Sequence, residues 1–585
     1  MSKRKPPFPA VRSAVPQPTA AAHGAAPRLT LPQAVQQAGI AFEAGDWLKA
    51  EHLCRLILTA QPGCFDALTL LGRIALRMGR AQDAAELLGR AVIARPDAVM
   101  AHIYLGVALM NLQRFAEALQ SFERALQIQP RSGDLHFNRG NALYQMNRFD
   151  EAVASYERAI EISPDHADAH RNRGNALREL KRREAALESY DAAIRIKPNY
   201  AEVHNSRGVT LRELLRFDAA LESYERALGI NPRYAHAHYN RGVVLKDLRQ
   251  WDAALDSYDR AIEIDPSHAE AIAGRGILRL LRGDFERGWR DYEWRFANRN
   301  RASIMEERSF PCPRWTGVEP IAGKTILVHC EQGLGDTLQF CRYVAVLADL
   351  GARVILEAPR TLFGVMRNLA GLWQLGIKGD ALPEFEYQCP LLSLPMAFNT
   401  HLGSLPAAVP YLGAEPAKVA RWQARLGEKT VPRIGLVWRG NPLFPDNHHR
   451  SFALADLLTH LPAGCQYFSL QKELSDADRA TLQAHPDVLN AGPELADFAD
   501  TAALCACLDL LITTDTSVAH LSGALGKPTW ILLHSNSDWR WLLDRVDSPW
   551  YPTTRLYRQS RLYDWEGVFA RVGSDVSALV GRAGS

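Results

Sequence analysis

The sequence lacks three features that would place it in a common class at once. Its nine cysteines include no C-x-x-C pair, which argues against a zinc site or a disulfide framework and indicates a reducing compartment. No uninterrupted apolar stretch approaches the ~18 residues of a membrane-spanning helix, so no membrane span is predicted. An excess of one charge is also missing, because 68 Lys and Arg stand against 65 Asp and Glu. That balance disfavours a general nucleic-acid binder, which needs a strongly basic surface.

The amino terminus is basic but has no apolar segment that a secretory signal would need. The first thirty residues also carry six prolines, which would break such a segment. We therefore predict a disordered Pro/Ala-rich tail at residues 1–30. The full chain, with 47% apolar residues, has the composition of an ordinary globular protein. Together these features predict a cytoplasmic protein.

An internal period of 34 residues is the strongest signal in the chain. It is marked by prolines at Pro62, Pro96, Pro130, Pro164, Pro198, Pro232 and Pro266. A glycine follows ten residues after each proline, at Gly72, Gly106, Gly140, Gly174, Gly208, Gly242 and Gly276. Alanines lie five residues before six of the prolines, and an aromatic residue lies eight before five of them. Small residues at a close helix crossing, an aromatic filler and a proline at the next helix entry predict one helix-turn-helix per period.

This pattern resembles the tetratricopeptide repeat. We predict repeats over residues 31–300, with an incomplete opening unit at 31–62, six full units from 63 to 266 and an atypical final unit at 267–300. The resemblance implies an α-solenoid coiled into a right-handed superhelix. The bulky stretch from Gly288 to Trp294 is suited to capping the solenoid or docking it on the region after residue 300.

Two ladders of polar residues precede the repeat glycines. Asparagines lie two residues before them at Asn138, Asn172 and Asn240. In the superhelical repeats of O-GlcNAc transferase, which these units resemble, asparagines at that offset hold the backbone of the protein substrate. An amide both donates and accepts hydrogen bonds, so the ladder predicts a groove for a protein partner or acceptor. The alternative is a solvated polar face. Histidines four residues before the glycines are expected to fill the space between helices, at His102, His136, His170, His204 and His238.

After about residue 300 the period ends, and short apolar runs alternate with helix-like stretches. This alternation predicts parallel sheets covered by helices, arranged as two Rossmann-like lobes with a cleft between them. The predicted division is a linker at 301–320, an N-terminal lobe at 321–412, a helix-bearing linker at 413–431, a C-terminal lobe at 432–575 and a tail at 576–585.

The loop from Gly333 to Asp336 follows the first predicted strand and is open to two interpretations. A dinucleotide fingerprint would begin with this G-x-G and use Glu357 to bind ribose. However, Leu338 replaces the third glycine of that fingerprint, which disfavours NAD. In the other interpretation, Asp336 opens a helix at the carboxyl end of the strand and serves as a functional carboxylate.

A second stretch, from Asp515 to His520, places small hydroxyl residues at a predicted helix start after an apolar strand. Backbone N–H groups, the hydroxyls of Thr516 and Ser517 and the positive end of the helix dipole would converge there, which suits a diphosphate. The alternative is that Thr516 or Ser517 only caps the helix.

The two stretches together resemble the two lobes of a GT-B glycosyltransferase of family 9, the heptosyltransferase-like family. That resemblance implies an inverting, metal-independent transfer from a nucleotide sugar, with Asp336 as catalytic base. It also implies donor-binding residues, namely Gly335, Arg439, Asn441, Asp515, Thr516, Ser517 and His520. Family members usually carry a lysine in the loop after the first donor-lobe strand. It is missing here, and Arg439, Arg450 or Lys472 would have to replace it.

The predicted function is therefore sugar transfer to an acceptor, with a protein recruited by the repeats as the expected acceptor. The overall layout is similar to that of O-GlcNAc transferase. No cofactor and no metal are expected. The D-x-D at Asp476 and Asp478 matches a metal motif only in spelling, because it falls at a predicted helix start. The alternative is a tetratricopeptide scaffold whose transferase-like lobes no longer catalyse.

Overall fold

The structure is a computed structural model that describes residues 30–297, 308–441 and 447–583. The predicted tail lies outside the described residues except for Thr30, and so does part of the linker predicted at 301–320. The chain divides into two compact units between Ser206 and Arg207. No helix among the described residues is both long enough and apolar enough to cross a bilayer.

The first unit consists of paired helices of 13 or 14 residues each. They are α1 Leu31–Glu43, α2 Trp47–Ala60, α3 Phe65–Arg77, α4 Ala81–Ala94, α5 Val99–Asn111, α6 Phe115–Ile128, α7 Gly133–Gln145, α8 Phe149–Ile162, α9 Ala167–Glu179 and α10 Arg183–Ile196. The opening unit, predicted to be incomplete, is a full helix pair. Ala38 takes the position of the repeat glycine and Cys54 that of the larger filler, and both are completely buried. Two small residues thus allow the same close crossing.

Helix α11, Ala201–Glu213, contains the boundary between the two units. The second unit continues the repeats with α12 Phe217–Ile230, α13 Ala235–Asp247, α14 Trp251–Ile264, α15 Ala269–Leu281 and α16 Phe285–Tyr292. A short 3-10 turn follows at Glu293–Ala297. The compact-unit boundary therefore differs from the division predicted at residue 300.

In five of the repeats the glycine allows the aromatic side chain of the next helix to lie against it, at Gly106, Gly140, Gly174, Gly208 and Gly242. A Cβ atom placed on Gly140 would lie 2.6 Å from Cε1 of Tyr156, and one on Gly174 would lie 2.6 Å from Cε1 of Tyr190. Both tyrosine rings are buried. The predicted pairing of small residue and aromatic filler is confirmed.

Gly140→Ala should lower the free energy of unfolding by about 1–3 kcal/mol, because the new methyl group overpacks a filled core. Gly89→Ala is the matched control, since Gly89 lies inside α4 and a Cβ there would meet nothing within 4 Å. Helix propensity alone should then stabilise the chain by up to about 1 kcal/mol. Urea unfolding of both variants tests the pair, and destabilisation by Gly89→Ala would contradict the packing argument.

The second unit also contains a four-stranded parallel sheet of order β3-β2-β1-β4. Its strands are β1 Thr325–His329, β2 Arg353–Ala358, β3 Leu372–Ile377 and β4 Tyr387–Pro390. The connecting helices are α17 Leu334–Phe340, α18 Tyr343–Asp349, α19 Phe363–Met366 and α20 Leu394–Ala397.

Helix α21, Pro416–Leu426, leads into a six-stranded parallel sheet of order β10-β9-β8-β5-β6-β7. In chain order this part comprises β5 Arg433–Val437, α22 Asn447–Arg450, α23 Leu454–Leu458, β6 Gln466–Ser469, α24 Asp476–Ala484, β7 Val488–Asn490, α25 Phe498–Cys507, β8 Leu510–Thr514, α26 Ser517–Ala524, β9 Thr529–Leu533, β10 Thr554–Arg558 and α27 Trp565–Ala583. The domain boundary predicted at residue 575 is too early. Helix α27 runs through it because Val572 and Val576 are both buried in the core.

One hydrophobic core joins the last repeat to the strands of both sheets. The indole N–H of Trp289 in α16 donates to the carbonyl of Thr400 over 2.9 Å. The buried Arg295 donates to Glu331, also buried, over 3.0 Å. The final repeat therefore belongs to the same packed body as the sheets, which explains why the boundary of the compact unit does not fall at residue 300.

Candidate functional site

The glycine loop after β1 places Asp336 in the first turn of α17. Gly333 is the N-cap of this helix, and its N–H donates to Oδ2 of Asp336 over 2.9 Å. Asp336 is thus the third residue of the helix and not its first. One carboxylate oxygen helps to hold the helix start.

The second predicted stretch forms the turn from β8 into α26. Thr516 is the N-cap in extended conformation, with φ −138° and ψ 170°, and its hydroxyl makes no capping bond to the helix. Its Oγ1 lies 3.2 Å from Oγ1 of Thr513 instead. By helix geometry the N–H groups of Ser517 and Val518 have no partner within α26. An anion could therefore be bound there through backbone N–H groups.

The two stretches contact each other although about 180 residues separate them in the chain. A Cβ placed on Gly335 would lie 2.9 Å from Cδ2 of His520 and 3.6 Å from Cα of Ser517. Only glycine allows this approach of α17 to α26. The first turn of α17, in which Asp336 lies, therefore packs directly against the start of α26.

Arg540, which is not among the predicted site residues, links this arrangement. It lies in the 3-10 turn Trp539–Trp541 and forms an ion pair with Asp336. Its other guanidinium nitrogens donate to Asp538 and to Gln339, each over 2.8 Å. The available signal is an arginine between two tryptophans in the loop after a predicted strand.

Burial and neighbouring charges shift the pKa values of Asp336, Asp515 and His520 in this cluster. Burial raises the pKa of Asp336, although the charge of Arg540 opposes the shift. Burial, and then the neighbouring charge of Asp538, raises the pKa of Asp515 to about 6. Burial lowers the pKa of His520 to about 3, so this imidazole is neutral at pH 7. Its ring stacks on Trp541 with a centroid distance of 5.3 Å.

The predicted cationic residues divide into two groups. Arg450 reaches the cluster, because its guanidinium donates to the backbone carbonyl of Asp515 over 3.0 Å. Arg439 instead pairs with Asp478 at 3.3 Å, and Lys472 donates to the carbonyl of Ala496 over 3.3 Å. Asn441 is exposed. Of the three residues predicted to replace the missing lysine, Arg450 therefore lies nearest to α26.

The D-x-D sequence formed by Asp476 and Asp478 lies at the start of α24, as predicted. Asp478 accepts hydrogen bonds from Trp438 Nε1 over 2.9 Å and from the backbone N–H of Ser475 over 2.9 Å. No three His, Cys, Asp or Glu side chains are grouped to hold a metal ion in the part of the chain that the structure describes.

The environment of Glu357 argues against the interpretation of the glycine loop as a dinucleotide-binding site. This side chain is completely buried in β2 and forms an ion pair with Arg308. Leu338, in place of the third glycine, is also completely buried. Glu357 therefore has a structural partner where a ribose hydroxyl would have to bind.

The asparagine ladder has intramolecular contacts. Nδ2 of Asn172 donates to Oδ1 of Asn141 over 2.8 Å, and its Oδ1 accepts from Arg171 Nε over 3.0 Å. Asn138 and Asn240 are half-buried. The amide of Asn172 is therefore oriented by its neighbours within the repeats.

The histidine ladder has a structural role within the repeats. In each case Nε2 lies 3.0–3.1 Å from the carbonyl of the repeat proline six residues earlier. Burial lowers the pKa of three members, His136, His170 and His238. The prediction that these residues fill the space between helices is in agreement with these contacts.

Lowering the pH from 7 to 5 should reduce the stability that His136, His170 and His238 contribute to the fold. The folded chain resists protonation of these histidines, whereas the unfolded chain takes up protons near the ordinary pKa of about 6.5. Their stabilising contribution is therefore complete above pH 6.5 and is lost as the pH falls below it. Replacing His136, His170 and His238 by Gln should flatten the dependence of Tm on pH, while His52→Gln at an exposed position should not. If the dependence of Tm on pH were unchanged in the triple variant, these histidines would not contribute the proposed pH-dependent stability.

Family models for tetratricopeptide repeats match much of the first half of the chain. The matched segments are residues 140–180 and 174–214 for one model and 69–133, 206–269 and 244–287 for a second. Tetratricopeptide repeats are thus present from residue 69 to residue 287, and they indicate a protein-interaction scaffold.

A curated relative is protein FlbA of Caulobacter vibrioides, which is 28% identical over 320 residues. The match covers 49% of this chain and 51% of FlbA. The chain therefore spans about half the length of this relative.

Solved structures of tetratricopeptide proteins are also similar to parts of the chain. YrrB, a TPR protein with an unusual peptide-binding site, is 24% identical and covers 32% of this chain and 97% of its own, with a TM-score of 0.28. A tetratricopeptide repeat protein from Parabacteroides merdae is 14% identical and covers 42% of this chain and 98% of its own, with a TM-score of 0.37.

Proposed function

We propose that the two sheets of the second unit form a GT-B glycosyltransferase that transfers a sugar from a nucleotide sugar to an acceptor. The observation that carries this proposal is the contact between Gly335 and the start of α26, which packs the helix turn that contains Asp336 against the N-terminus of α26. A base next to an anion-binding helix start is the arrangement that single-displacement sugar transfer requires. The sequence likeness of the two stretches to heptosyltransferase-like enzymes supports the same reaction class.

In the proposed reaction the N–H groups of Ser517 and Val518 bind the diphosphate, and Arg450 adds positive charge. The oxygen of the acceptor hydroxyl attacks the anomeric carbon of the donor sugar, and Asp336 accepts the proton of that hydroxyl. The bond from that carbon to the diphosphate breaks, and the nucleoside diphosphate leaves with the bonding electron pair. Neutral His520 adds no charge. It orients the turn at the start of α26, because its Nδ1 lies 3.0 Å from the hydroxyl of Tyr551.

The acceptor is proposed to be a protein bound by the repeats, which indicate protein interaction. A second candidate is a scaffold without catalysis. It is favoured by the positions of Arg439 and Lys472, whose side chains are engaged with Asp478 and Ala496 and not with α26.

Nucleoside diphosphates should raise the melting temperature of the protein, because a ligand that binds only the folded state stabilises it by about 2.7 kcal/mol at a hundredfold excess over Kd. A panel of nucleotides and nucleotide sugars in a thermal-shift assay measures this. Failure of every compound to shift the transition would favour the scaffold.

Ser517→Pro tests whether α26 is the binding element. Proline is tolerated at the first position of a helix, and it removes one N–H that the diphosphate would use. We expect the melting temperature without ligand to hold and the ligand-induced shift to fall sharply. Ser517→Ala keeps the N–H and should retain most of the shift. Equal responses of the two variants would place the ligand elsewhere.

A further inference from the structure

On the basis of the proposed function, we propose that Arg540 is a positioning residue that fixes the orientation of Asp336 and favours its ionised form for proton transfer. Both oxygens of Asp336 have donors. Oδ1 faces the Arg540 guanidinium, and Oδ2 accepts the Gly333 N–H over 2.9 Å. The carboxylate is therefore held in one rotamer.

Arg540 is itself fixed by the surrounding groups. Its Nε donates to Gln339 over 2.8 Å, and one terminal nitrogen donates to Asp538 over 2.8 Å. Its backbone N–H donates to the same Asp538 oxygen over 3.0 Å. The residue is only 6% exposed. Because these hydrogen bonds hold the Arg540 guanidinium in place, it cannot shift together with the Asp336 carboxylate. The guanidinium therefore defines the position of Asp336.

The last repeat supports this arginine through one aromatic layer. The guanidinium lies over the ring of Trp539, 4.2 Å from its centroid. That ring packs edge-on against Trp289 at 5.2 Å and against Tyr292 at 5.9 Å, both in α16. The position of Asp336 thus depends on the repeat that precedes the first sheet.

The charge of Arg540 counteracts the effect of burial on the ionisation of Asp336. Burial favours the neutral acid, and Arg540 is the largest opposing influence on the pKa of this carboxyl. The other charged groups acting on Asp336 are Asp538, which raises its pKa, and Arg295, which lowers it. Glu331 and Tyr292 are also electrostatically coupled to it. Without Arg540, less of the base would be ionised at neutral pH.

The test compares Arg540→Gln with Arg540→Lys. The glutamine removes the charge and should move the acid limb of the pH profile of kcat up by about one unit or more, since a charge partner lowers a carboxyl pKa by about 1–3 units. The lysine keeps the charge but not the planar fork, so kcat should fall while the acid limb stays near its original pH. Arg545→Gln is the matched control, because Arg545 pairs with Asp547 at 2.6 Å near the protein surface.

A second readout does not depend on turnover. In protein carrying ¹³C at the aspartate carboxyl carbon, the Asp336 resonance is identified by its loss in Asp336→Asn. It should titrate at higher pH in Arg540→Gln than in the original protein. An unchanged titration would overturn the proposal for Arg540. Absence of transfer from any donor by the original protein would overturn the proposed function instead, and the titration would still decide the role of Arg540.

Discussion

Asp336→Asn should reduce sugar transfer by ~10²- to 10⁴-fold at saturating donor, the usual contribution of a general base. Asparagine keeps an oxygen that can accept the Gly333 N–H, but it cannot take a proton from the acceptor hydroxyl. Nucleotide affinity should hardly change, because the diphosphate is expected at Ser517 and Val518. The measurement is initial rate with the donor that the nucleotide panel identifies, alongside nucleotide titration of the same variant.

The control for this substitution is Asp547→Asn, which removes an exposed carboxylate paired with Arg545. It should leave the rate unchanged. Some loss of stability is expected in Asp336→Asn, since the buried Arg540 loses one carboxylate but keeps Asp538 and Gln339. Full activity would contradict the base assignment. A collapse of the melting transition would show instead that the turn itself was damaged.

Trp289→Ala should destabilise the second unit by about 3–5 kcal/mol, because truncating a buried Trp leaves a large cavity. Trp289 is 2% exposed, and its N–H donates to the Thr400 carbonyl. Its ring contacts Trp539 and so supports the turn that holds Arg540. Chemical unfolding followed by circular dichroism measures the loss, and transfer activity should fall with it.

The matched control is Trp373→Ala, which truncates a tryptophan in β3 that is 52% exposed. A change within about 0.5 kcal/mol is expected there, as for most surface substitutions. If Trp289→Ala changed the free energy of unfolding as little as Trp373→Ala, the last repeat would not be an integral part of the core. That result would support the domain boundary predicted at residue 300.

The elements of the fold can be predicted from local patterns. The 34-residue period predicts the helix pairs because most pairs repeat the same packing of a glycine against a large side chain of the next helix. The strands can be located because their apolar runs are buried on both faces of a parallel sheet, as in Thr529–Leu533. The opening pair is harder to recognise because Ala38 and Cys54 replace the signature residues while preserving the close contact.

The site can be predicted only in part, because its central contacts join distant segments. Asp336 and Ser517 each follow a predicted strand and lie in the first turn of a helix, which is a local signal. Arg540 pairs with Asp336 across 204 residues, and no local pattern states which carboxylate an arginine will meet. The same reason applies to Trp289 and Thr400, whose pairing across 111 residues joins the last repeat to the first sheet.

A structure of the protein with a bound nucleoside diphosphate tests the proposed donor site most directly. We expect the diphosphate at the start of α26, within hydrogen-bond distance of the N–H groups of Ser517 and Val518. Arg450 should lie beside it, and the side chain of Asp336 should face the terminal phosphate. Binding at any other part of the second unit, or on the repeats with the start of α26 unaltered, would contradict the proposal.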